Sequence, residues 1–170
     1  MQLIILNGPC GVGKSTIAGL LHAEMDRSLL IQPDALRRLM SGYRAHFEES
    51  RDVRDHMTFA LLDVAVNDGC PAIVEQIYHA EHYLETLRAM AESKGYEVFE
   101  YILWAEWETV WTRSQERPQR PNSLLTPELI REKWEQIGEL KEKRGQARII
   151  RTDGLDAGKV AMKILEDISH

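Results

Sequence analysis

Residues 8–15 read Gly-Pro-Cys-Gly-Val-Gly-Lys-Ser, a full match to G-x-x-x-x-G-K-[ST]. The match follows an apolar run, Leu3-Ile4-Ile5-Leu6, and precedes residues with helical periodicity, Ile17, Leu20, Leu21 and Met25. A strand, a glycine-rich turn and a helix in that order form a phosphate cradle. The glycines let backbone N–H groups turn inward, the lysine reaches the outer phosphates and the serine hydroxyl ligates Mg²⁺. The helix adds the positive end of its dipole to the same point. Gly8, Pro9, Cys10, Gly11, Val12, Gly13, Lys14, Ser15 and Thr16 are thus the expected nucleotide-phosphate contacts. A glycine-rich turn that merely joins a strand to a helix is the bland alternative, and the surrounding pattern argues against it.

The rest of the chain reads as the scaffold such a loop needs. Its 170 residues suit one domain, 44% hydrophobic and 28% charged, ordinary proportions for an enzyme with a sizeable core. Short apolar runs at 2–6, 28–32, 71–75, 97–103 and 147–151 alternate with helical patterns near 14–26, 33–41, 50–67, 80–94, 106–117, 127–143 and 156–168. This alternation predicts an α/β fold of three layers, a five-stranded parallel sheet with helices on both faces. Asn67-Asp68-Gly69, Gly95 and Asp153-Gly154 punctuate it, and Thr126 before Pro127 predicts a capped helix start. Two stretches, 41–55 and 115–126, read as polar insertions placed to cover a site at the carboxyl ends of the strands.

The net charge of −6 argues against a generally basic nucleic-acid surface. Cys10 and Cys70 are too few for a disulfide framework, and a thiol inside the phosphate loop suits a reducing cytoplasm. No apolar stretch approaches a membrane span, and Met1 is followed at once by the first strand rather than by a signal peptide. The sequence presents no clear self-association surface.

Four groups of residues carry candidate chemistry. Strand two runs into Gln32-Pro33-Asp34, so Asp34 faces the crevice, either as general base for an attacking hydroxyl or as the N-cap of the next helix. Arg37, one helical turn on, can steady that carboxylate or an anionic substrate group. Strand three ends at Glu75, which either supports the metal beside Ser15 or anchors an arginine. Arg113, Arg117 and Arg120 enter the second insertion, as a lid that neutralises phosphate charge or as ordinary surface ion pairs. Trp104, Trp107 and Trp111 read as packing, and the histidines form no metal-ligand grouping.

In these features the chain resembles the P-loop kinases of the nucleoside-monophosphate-kinase-like group. It is most similar to the small AAA-domain kinases, which include polynucleotide-kinase, gluconate-kinase and chloramphenicol-phosphotransferase-like proteins. The phosphate loop, the D-x-x-R of Asp34 to Arg37 and the arginine-bearing lid carry the resemblance. It implies Asp34 as general base, Arg117 and Arg120 on ATP phosphates, and Arg113 stacked near adenine. Two features depart from the group: Glu75 stands where many relatives have Asp, and 41–55 matches no acceptor-specific pattern. The expected activity is transfer of the γ-phosphate of ATP, with Mg²⁺, to a hydroxyl of a small molecule. Two alternatives are a kinase of nucleic-acid 5′ ends and a nucleotide-binding resistance or regulatory protein without transfer chemistry. The pattern argues against a GTPase switch, since strand three leads into no D-x-x-G and no N-K-x-D precedes the last helix.

Overall fold

The computed structural model describes residues 1–116 and 126–169. Five strands, β1 Gln2–Asn7, β2 Leu29–Ile31, β3 Ala72–Glu75, β4 Glu97–Trp104 and β5 Arg148–Arg151, form one sheet in the order β2-β3-β1-β4-β5. Every pairing is parallel. The helices are α1 Lys14–Glu24, α2 Pro33–Arg37, α3 Phe47–Asn67, α4 Glu81–Glu92, α5 Trp107–Glu116, α6 Pro127–Lys143 and α7 Ala157–Ile168.

Alternation along β1 explains the layering. Ile4 and Leu6 join a core cluster with Ile17, Leu21, Val160 and Ile164, which belongs to α1 and α7. Leu3 and Ile5 point the other way, onto Leu62, Leu84, Leu87 and Ile137 of α3, α4 and α6. A central parallel strand buried on both faces has to be apolar at every position, as Leu3 to Leu6 are. Leu20, which shares the helical spacing of Ile17 and Leu21, is instead 38% exposed.

One buried ion pair interrupts the apolar layer. Glu100 of β4 accepts from Nε and Nη2 of Arg144, the C-cap of α6, at 2.5 and 2.9 Å. A bidentate pair out of water fixes both direction and distance, and here it ties the end of α6 to the sheet. At the other end of α6 the Thr126 hydroxyl accepts from Leu129 N, the N-cap expected from the sequence.

The expected polar insertion at 41–55 is a loop only in its first part. From Phe47 onward it is the opening of α3. Glu48 and Glu49 lie in the first turn, where negative side chains favour a helix. Arg37 fastens this corner, donating to Ser50 Oγ at 2.9 Å and Phe47 O at 3.1 Å, with its guanidinium 3.9 Å from the centre of the Phe47 ring. α2 is correspondingly shorter than expected, ending at Arg37. Of the second insertion, residues 117–125 lie outside the described residues, and with them Arg117 and Arg120.

Candidate active site

The phosphate loop leaves β1 through Asn7, whose side chain is wholly buried. Its Oδ1 accepts from Gly8 N at 2.8 Å and Tyr78 N at 3.0 Å, and its Nδ2 donates to Tyr78 O at 2.7 Å. One amide therefore joins the start of the loop to the segment that follows β3. The loop itself has no room for side chains at two points. A Cβ on Gly8 would lie 2.4 Å from Leu103 O, and one on Gly11, at φ +81°, would lie 2.9 Å from Val110 O. Val12 and Cys10 are buried in the core beneath it. Lys14 is also buried, and its Nζ donates to Gly8 O and Pro9 O at 2.8 and 2.9 Å, holding the ammonium within the loop. Gly13 is the N-cap of α1, so Ser15 and Thr16 stand in the first turn, both exposed.

Glu75, at the carboxyl end of β3, faces Ser15. Ser15 Oγ donates to Glu75 Oε1 at 3.2 Å, and Gln32 Nε2 donates to Glu75 Oε2 at 3.3 Å. Among the described residues no arginine pairs with Glu75, and the carboxylate sits beside the loop hydroxyl. A hydroxyl with a carboxylate is a hard oxygen donor set, which suits Mg²⁺ rather than a softer metal. Among the described residues no group of three or more His, Cys, Asp or Glu could hold a metal.

Asp34 projects next to this pair. The N-cap of α2 is Gln32 and Pro33 takes the first turn, so Asp34 is not the cap. It is exposed, and Gln76 Nε2 lies 3.3 Å from its Oδ1. Gln76 is buried and its Oε1 accepts from Ile77 N. Consecutive residues of one strand end thus hold the two candidate carboxylates, Glu75 toward Ser15 and Gln76 toward Asp34. Arg37 lies in the field of Asp34, but burial and the neighbouring Arg54 lower its pKa, and its bonds clamp α2 to α3.

On the far side of the loop Arg113 of α5 donates to Thr152 Oγ1 at 3.1 Å and Thr152 O at 2.8 Å. Both line a cleft of about 200 Å³ together with Gly11, Gly13, Thr16 and Leu155. The cleft is below the roughly 300–1,000 Å³ of drug-sized sites, a size for one heterocycle beside the loop. The tryptophans are packing, as their spacing suggested: Trp104 stacks on Trp134 and Trp107 on Trp111, with ring centres 5.0 and 5.8 Å apart.

Asn7, Gln32 and Gln76 were not singled out by sequence reasoning. The only signal was position: each is a polar residue beside a strand end, within two residues of one already under suspicion.

A family model described as an AAA domain matches residues 3–137. The chain belongs to that family. Solved structures similar to this AAA domain include a sugar kinase from Janibacter sp. HTCC2649, with TM-score 0.73, 16% identity and coverage of 99% of this chain and 95% of that one. The tunicamycin resistance protein of Deinococcus radiodurans gives TM-score 0.67, 21% identity and coverage of 99% and 96%. A gluconokinase from Sinorhizobium meliloti 1021 gives 0.67, 17%, 99% and 91%. The AAA domain thus has the three-layer P-loop kinase fold of the nucleoside-monophosphate-kinase-like group. No curated protein matches its sequence. Among the described residues no helix is long and apolar enough to cross a membrane.

Proposed function

We propose that this AAA domain is an ATP-dependent phosphotransferase that moves the γ-phosphate to a hydroxyl of a small molecule. The observation that carries this reading is the pairing on the β3 end, where Glu75 meets Ser15 and Gln76 meets Asp34. A loop that only held a nucleotide would need no second carboxylate beside it. Asp34 is exposed and within the crevice, as a base must be to take the proton of an incoming hydroxyl.

Lys14 exchanges its two carbonyl partners for phosphate oxygens in this reading, and backbone N–H groups of residues 8–15 cradle the chain of phosphates. Ser15 and Glu75 are the oxygen donors for Mg²⁺, which when bound neutralises charge on the transferred group. The Arg113–Thr152 cleft receives the adenine. Arg37 holds the corner from which Asp34 projects, and Arg117 and Arg120 keep the role of closing over the phosphates. The acidic balance of the chain favours a small acceptor over nucleic acid.

The test is an ADP-release screen across sugars, nucleosides, antibiotics and oligonucleotides. Lys14→Ala should abolish release while leaving the circular-dichroism spectrum unchanged. Asp34→Asn should lower kcat by about 10²–10⁴ with ATP affinity within twofold, the contribution typical of a general base. Full activity of Lys14→Ala on an identified acceptor would overturn the reading, and equal losses of kcat and ATP affinity in Asp34→Asn would remove its assignment as base.

A further inference from the structure

The carboxylate of Asp34 stands on short elements. β2 has three residues and lies at the sheet edge, and α2, which carries Asp34, has five. A helix this short has no stability of its own, so the place of its side chains depends on what its neighbours hold. The ends of α2 are tied by Gln32 to Glu75 and by Arg37 to Ser50 and Phe47. Neither tie touches the Asp34 carboxylate. Among the described residues that contact comes from Gln76, whose Nε2 donates to Asp34 Oδ1 across 3.3 Å.

The Gln76 amide has one orientation open to it. The residue is 5% exposed, and its Oε1 accepts from Ile77 N at 3.0 Å. Turning the amide over would set its NH₂ against the Ile77 N–H and its carbonyl against the carboxylate, two repulsions in place of two bonds. The main chain around it is equally fixed. Gln76 N donates to Leu6 O at 3.1 Å, and Tyr78 exchanges two hydrogen bonds with the Asn7 side chain. Leu6 and Asn7 are the last residues of β1 before the phosphate loop. Gln76 therefore ties a carboxylate of the sheet edge to the central strand, at the point where that loop departs.

We infer that Gln76 is a positioning residue for phosphoryl transfer, its amide holding Asp34 Oδ1 at a set place relative to the phosphate loop and leaving Oδ2 to take the proton of the acceptor hydroxyl. The inference rests on the phosphotransferase reading. In that step the acceptor oxygen bonds to the γ-phosphorus, the bond from that phosphorus to the β,γ-bridging oxygen breaks, and ADP leaves with the electron pair. The acceptor proton passes to Asp34. Gln76 neither gives nor takes a proton. It acts through the place of the carboxylate, so its loss can cost no more than loss of the base itself.

The experiment measures ADP release from ATP with Mg²⁺ on gluconate, glucose and uridine, taking the probe turned over fastest. It compares the wild-type protein with Gln76→Glu, Gln76→Leu, Asp34→Asn and the double variant Gln76→Leu with Asp34→Asn. Gln76→Glu keeps the acceptor for Ile77 N and replaces only the group that donates to Asp34. Both single Gln76 variants should lower kcat on the order of 10- to 100-fold, the cost of a misplaced catalytic group, and by less than Asp34→Asn does. Affinity for a non-hydrolysable ATP analogue should stay within about twofold. In the Asp34→Asn background, Gln76→Leu should lower the residual kcat by less than about threefold, because no base is left to place.

A second measurement needs no Gln76 variant to fold. In amide NMR spectra the side-chain N–H signals of Gln76 should move when Asp34→Asn replaces their carboxylate partner.

A kcat within about twofold of wild type in Gln76→Glu and Gln76→Leu overturns the inference. So do equal losses of kcat and ATP-analogue affinity, a loss exceeding that of Asp34→Asn, and Gln76 signals indifferent to Asp34→Asn. An equal loss from Gln76→Leu with and without Asp34 overturns it as well, since Gln76 would then act by another route. Absence of ADP release from the wild-type protein on every probe would instead count against the phosphotransferase reading, so the two fail separately.

Discussion

Ser15 Oγ donates to Glu75 Oε1 across 3.2 Å, although the two residues are 60 positions apart. The parallel register of β1 and β3 sets this distance, pairing Leu6 with Glu75 so that the strand end opens beside the first turn of α1.

If these oxygens share a magnesium ion, Glu75→Ala should raise the Mg²⁺ concentration needed for half-maximal ADP release by tenfold or more. Glu75→Asp should recover most of it. A magnesium titration at saturating ATP checks this, and an unchanged requirement in Glu75→Ala would leave Glu75 a purely structural partner of Ser15 and Gln32.

Asn7 offers a stability prediction. Asn7→Ala strands the buried N–H groups of Gly8 and Tyr78, which share Asn7 Oδ1. At about 1–3 kcal/mol for each unsatisfied group, the loss should reach about 2–6 kcal/mol in urea unfolding. Asn7→Asp keeps the acceptor but loses the bond to Tyr78 O. It should unfold less readily than Asn7→Ala yet bind ATP more weakly, because it sets a carboxylate beside the phosphate loop. A loss below about 0.5 kcal/mol in Asn7→Ala, the size of an ordinary surface substitution, would show that water replaces the amide.

The acid limb of stability has an identifiable contributor. Asp167 accepts from the Tyr101 hydroxyl at 2.7 Å and pairs with Arg148, and these contacts lower its pKa. A carboxylate with a depressed folded-state pKa stabilises the fold above its unfolded pKa. That contribution disappears as the pH falls through the folded value. Asp167→Asn should therefore flatten the loss of stability below the ordinary aspartate range. Since the group is 39% exposed, the cost at neutral pH should stay within about 1 kcal/mol. Denaturant melts from pH 7 to pH 2 on both proteins test the difference, and parallel profiles would exclude Asp167.

The five strands were legible because a sheet covered on both faces demands near-continuous apolar runs, and Leu3 to Leu6 and Ala72 to Val74 supply them. The phosphate loop was legible because its chemistry is local, with Gly8 to Ser15 contiguous. The helix expected near 50–67 was there, but its first residues, Phe47 to Glu49, were not legible, since the polar stretch 41–55 reads as an insertion. Nor were Asn7 and Gln76, whose partners Tyr78 and Asp34 lie 71 and 42 residues away. Such pairings exist only once the sheet has brought strand ends together. Arg113 was placed by its spacing near the lid, but its tie to Thr152 depends on β5 lying beside β4.

The central place of β1 has a further consequence. Strands β3 and β2 lie on one side of it and β4 and β5 on the other, so Asp34 and Glu75 descend from one wing, Arg113 and Thr152 from the other. On the phosphotransferase reading, a graft confined to residues 34–46 should redirect the protein to a new client molecule while Gln32, Glu75, Arg113 and Thr152 keep their hold on the donor side.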